Sequence, residues 1–97
     1  MSDWVADELL QEIRDGLRKI IDPELGQDIV GLGLIYDMEA GASGYVRILM
    51  TTTVPGCPAS EFLVGAVKQA VLAINGVRTV DVQLTHEPRW SPAMMAP

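Results

Sequence analysis

Between Arg47 and Phe62 the chain reads RILMTTTVPGCPASEF: an aliphatic run turns into three threonines, and the only cysteine, Cys57, follows between Pro55-Gly56 and Pro58. A thiolate is both a nucleophile and a soft metal ligand, and it forms where positive potential offsets its charge. If a helix starts at Pro58, the favoured first-turn position for proline, Cys57 is its N-cap and the sulfur lies beside unpaired backbone N–H groups. The competing reading is a small buried hydrophobe, the commonest fate of a free cysteine. The Pro-Gly-Cys-Pro setting at a strand-to-helix turn favours the reactive reading.

Other groups able to do chemistry are few. Thr51 and Thr53 alternate to one side of an extended chain, where they either line a pocket floor with hydroxyls or bond local backbone. Asp22, Glu24 and Asp28 lie in the loop DPELGQDIVGLG, and read either as solvated charge around a helix stop or as carboxylates set near the thiol. His86 is the only histidine and sits beside Glu87-Pro88, so a surface position in the tail is expected rather than a Cys–His dyad. One Cys and one His are too few for a closed zinc or iron–sulfur site within one subunit. A metal or cluster would be held transiently, across a dimer, or jointly with a partner protein.

These groups need elements to position them. Val5, Leu9, Leu10, Ile13, Leu17, Ile20 and Ile21 recur at steps of three and four, which predicts an amphipathic helix over 2–21 that Pro23 terminates. Leu34–Glu39 and Tyr45–Thr53 read as a hairpin around the small-residue turn 40–44, with Val46, Ile48, Met50 and Thr52 on one face. A second helix carries the stripe Phe62, Leu63, Ala66, Val67, Ala70, Val71 and Ile74 and stops at Asn75-Gly76. Val77–Thr85 is a third strand, and 86–97 form a Pro-bounded tail. The order α-β-β-α-β predicts an α+β fold of two layers, a small mixed sheet with both helices on one face.

The 97 residues bound this to a single domain over 1–97. A net charge of −6 opposes attraction to nucleic acid and to anionic membrane surfaces. No apolar run approaches the roughly 18 residues that suggest a membrane span. No signal-like segment opens the chain, so the cytoplasm is the expected compartment. Open sheet edges together with the ligand deficit predict a two-fold homodimer.

Three stretches resemble a known family, the small metal–sulfur cluster biosynthesis domain found in SufT of the SUF system, in PaaD of phenylacetate degradation and in eukaryotic cytosolic iron–sulfur assembly proteins. IIDPELGQDIVGLGLIYDM is similar to its DPE loop followed by V-x-LGLVY, MTTTVPGCP to its MTLT-x-PGCP, and EPRWSPAMM to the SufT-like ending PPWTPxMMS. His86 and Arg89 stand where that ending usually has Asp and Pro. The resemblance implies an iron–sulfur assembly fold and a maturation factor, not an enzyme. Its partners would be an iron–sulfur carrier and client apoproteins, and its cargo a transient cluster or iron engaged by Cys57. By the same resemblance Asp22, Glu24, Thr51 and Thr53 line one shallow pocket around Cys57. Two other functions fit: an adaptor that docks clients onto a cluster carrier without binding metal, and a PaaD-like oxygenase maturation protein. Trp90, Met94 and Met95 form a partner contact if exposed, and otherwise pack across the sheet edge.

Overall fold

The computed structural model describes residues 2–41, 43–54, 56 and 58–95, with side chains from Glu8 onward. In chain order its elements are α1 (Ser2–Leu17), β1 (Ile35–Ala40), β2 (Tyr45–Met50), α2 (Ala59–Leu72) and β3 (Thr79–Leu84), followed by a 3-10 turn at Pro92–Met94. Their order is the expected α-β-β-α-β. The sheet runs β1-β2-β3, with β1 antiparallel and β3 parallel to the central β2. A hairpin suffices for the first pairing, whereas parallel neighbours need a crossover, which α2 supplies.

Period-two burial in β2 (Val46, Ile48, Met50) meets helical-period burial in α1 (Ile13, Leu17) and α2 (Leu63, Val67, Val71), and Ile29, Leu32 and Leu34 close the same core from the loop before β1. Truncating any of these to alanine removes transfer energy and leaves a cavity, about 2–5 kcal/mol for a Leu or Ile. Among the described residues no helix is long and apolar enough to cross a membrane.

The structure corrects several boundaries. Helix α1 ends at Leu17 rather than at Ile21: Lys19 and Ile20 donate to the carbonyls of Gly16 and Leu17 in tighter i→i−3 bonds, and Ile21 then bridges Asp28 while Ile29 N–H reaches Ile20 O at 3.0 Å. β2 stops at Met50, because Thr51 N–H turns to Leu34 O at 2.8 Å. Helix α2 starts at Ala59 with Pro58 in the N-cap position, at φ −57°, so the capping place expected for Cys57 belongs to Pro58. Proline is tolerated there because an N–H at a helix start has no intrahelical partner to lose. Cys57 itself lies outside the described residues. Phe62, expected in the apolar stripe, is 64% exposed; the buried face of α2 is Ser60, Leu63, Val67 and Val71.

Topology brings the chemistry to one end of the sheet. The loop after α1 delivers Leu34 to Thr51, and Thr85, just past β3, donates to Met50 O at 2.9 Å. The exits of β2 and β3, the start of α2 and the entry to β1 therefore share that end.

Candidate functional site

Asp22 is the anchor of the acidic loop. Its backbone is engaged on both sides: its N–H donates to Gln27 O at 2.9 Å, and its carbonyl accepts from Gly26 N–H at 2.8 Å. The carboxylate Oδ2 accepts the N–H groups of Glu24 at 3.1 Å and Leu25 at 2.9 Å, an Asx turn in a side chain only 1% exposed. With Oδ2 engaged by two backbone N–H groups, Asp22 shapes the loop rather than projecting from it. Asp28 repeats the device, accepting Gly31 N–H at 2.7 Å. Glu24 lies on the surface of the loop.

Thr51 is fully buried, and among the described residues its Oγ1 has no hydrogen-bond partner. Strand alternation would place it with the exposed Tyr45 and the half-buried Arg47 and Leu49, but it lies beyond the strand's end, bonded through its N–H to Leu34 O. An orphaned buried hydroxyl is uncommon and costs the desolvation of the group. Thr53 is half-buried, and because β2 ends at Met50 the alternation that paired it with Thr51 does not extend to it.

The residue that sequence reasoning passed over is Thr52. Its hydroxyl donates to Val54 O at 3.2 Å, accepts from Ser60 Oγ at 3.2 Å and lies 3.0 Å from His86 Nε2. A polar side chain on the same face as Val46, Ile48 and Met50 was the available signal, since a buried hydroxyl demands partners. His86 is consequently not a free tail residue. Through Thr52 it is joined to Val54 and Ser60, which flank the segment where the sequence places Cys57.

The tail is packed. Trp90 Nε1–H donates to Leu32 O at 2.7 Å, the Tyr36 hydroxyl donates to Pro88 O at 2.8 Å and lies 3.5 Å from Met94 Sδ, and Trp90 and Met95 pack against the core. Gly33, at φ +80°, lies so close to the Met94 carbonyl that a Cβ there would collide with it. Among the described residues no three His, Cys, Asp or Glu side chains gather to hold a metal ion. A groove of about 160 Å³ between α1 and β1, lined by Leu10, Arg14, Ile35, Tyr36, Asp37 and Met38, includes none of the candidate site residues.

Comparison with known proteins agrees with this architecture. Residues 10–83 match the family described as Iron-sulfur cluster assembly protein. The chain is 42% identical over 80 residues to the Fe-S protein maturation auxiliary factor of Porphyromonas gingivalis, across 82% of this chain and 76% of that one. It is 37% identical over 92 residues to the Fe-S protein maturation auxiliary factor YitW of Bacillus subtilis, across 95% and 90%. The crystal structure of a domain of unknown function from Bacillus anthracis superposes with a TM-score of 0.91 at 34% identity, covering 97% of this chain and 90% of that one. With the fold, the loop and the threonine-rich strand exit all within the matched span, the chain belongs to the iron–sulfur cluster assembly protein family.

Proposed function

We propose that this chain is a non-enzymatic maturation factor for iron–sulfur proteins, in which Cys57 engages a cluster or iron as cargo during delivery to client apoproteins in the cytoplasm. The observation that carries the reading is kinship along nearly the whole chain with proteins named Fe-S protein maturation auxiliary factors. The local chemistry supports it. A thiolate is the soft ligand that iron prefers, and on the family resemblance the Thr51 hydroxyl and the Glu24 carboxylate would add hard oxygen donors beside it. One thiol from one subunit leaves a cluster under-ligated, so its remaining ligands come from a carrier, a client or a second copy. Dimerisation through the open edges of β1 or β3 would supply that second copy.

Anaerobic expression followed by iron, sulfide and optical analysis tests this, with Cys57→Ser beside the wild type. Cluster signal and client maturation are expected in the wild type and lost in the variant. The adaptor reading draws on a specific feature, the exposed Val54 and Phe62 on either side of residues 55–58 in sequence. It predicts that Cys57→Ser retains maturation while Phe62→Ser loses it.

A further inference from the structure

We infer that His86 is a positioning residue for the turn that carries Cys57, acting through Thr52 and Ser60. Three segments distant in sequence meet at one oxygen, Thr52 Oγ1: the strand exit through Val54 O at 3.2 Å, the first turn of α2 through Ser60 Oγ at 3.2 Å, and the chain after β3 through His86 Nε2 at 3.0 Å. Thr52 and Ser60 are buried and His86 is half-buried, so water competes little for these bonds.

Hydrogen-bond arithmetic assigns the roles. A threonine hydroxyl has one proton and two lone pairs. Its proton goes to the Val54 carbonyl, since otherwise two oxygens would face each other at 3.2 Å with no hydrogen between them. Ser60 donates into one lone pair. The second lone pair can take only a donor, so His86 presents Nε2–H to Thr52. Thr52 is then saturated: Val54 and Ser60 are both tied to its hydroxyl, which the His86 imidazole on the exit of the neighbouring strand holds in place. A side-chain clamp on Val54 and Ser60 thereby restrains the two flanks of the segment that carries Cys57.

The inference rests on the reading that Cys57 is the working group, but its test requires no cluster. The second-order alkylation rate of Cys57 by a small neutral reagent is measured at one pH in the native protein and in the urea-unfolded chain. In His86→Leu the native rate should move towards the unfolded-chain rate by about fivefold, the scale of one lost hydrogen bond. His86→Gln, whose side-chain amide can present an N–H in the same place, should restore the wild-type rate. Thr52→Val should match His86→Leu, and the double variant should move no further. Thermal unfolding establishes that each variant is folded; should His86→Leu not fold, Thr52→Val against His86→Gln carries the comparison. A native rate unchanged in folded His86→Leu, or His86→Gln shifting as far as His86→Leu, overturns the inference. Loss of the cluster-handling reading would appear instead as client maturation retained in Cys57→Ser, with the alkylation comparison untouched.

Discussion

Substituting Gly33 by alanine tests whether the tail is docked on the loop before β1. Two glycines of that loop adopt the left-handed region, Gly26 at φ +70° and Gly33 at φ +80°. An alanine at either carries the same backbone penalty, about 1–2 kcal/mol. They differ in surroundings: nothing lies within 4 Å of a Cβ built on Gly26, whereas one built on Gly33 collides with the Met94 carbonyl. Backbone cannot yield as a flexible side chain does, so the tail must lift. Lifting loosens the 2.7 Å bond from Trp90 Nε1–H to Leu32 O, about 1 kcal/mol, and exposes part of Trp90 and Met95, about 1–2 kcal/mol more. Gly33→Ala should therefore be less stable than Gly26→Ala by about 2 kcal/mol, or roughly 10 °C in Tm for a domain of this size. Calorimetry and denaturant titration measure the difference. In a Trp90→Ala background the gap between the two alanine variants should shrink, because the docking that Gly33→Ala disrupts is already weakened. Equal losses for the two variants in the otherwise intact chain would refute the docked tail.

Three further outcomes are expected. Asp22→Ala should cost about 1–3 kcal/mol by stranding the Glu24 and Leu25 N–H groups, while Asp22→Asn, which keeps an acceptor oxygen, should unfold within a few degrees of the wild type; chemical denaturation distinguishes them. Thr51→Val removes a buried hydroxyl that has no partner among the described residues, so stability should be unchanged or raised by up to about 1 kcal/mol, and a concurrent fall in client maturation would assign that hydroxyl to the cargo. The two-fold dimer should appear in sedimentation equilibrium as mass rising towards twice 10.5 kDa with concentration, and monomer alone at the highest concentration would refute it.

What was legible in the sequence depended on whether the cause was periodic or tertiary. Ile13 and Leu17, or Val46, Ile48 and Met50, are buried because their spacing matches the element they belong to, and the α-β-β-α-β order with its crossover follows from that spacing. Thr51 escapes such reasoning because its burial comes from Leu34, seventeen positions away, whose carbonyl takes the Thr51 N–H and ends the strand. Phe62 and Ser60 show the same limit on a helix. An apolar stripe wider than the buried sector leaves open which side faces the sheet, and hydrophobicity alone would have turned Phe62 inwards. The structure buries Ser60 instead, and its hydroxyl can be buried because Thr52 is there to accept its proton. The two polar residues thus permit one another, and each would be costly alone. Thr52 falls by alternation on the core face, where a hydroxyl must find partners; following that demand leads first to Ser60 and then to His86, which its place beside Glu87-Pro88 had assigned to the surface.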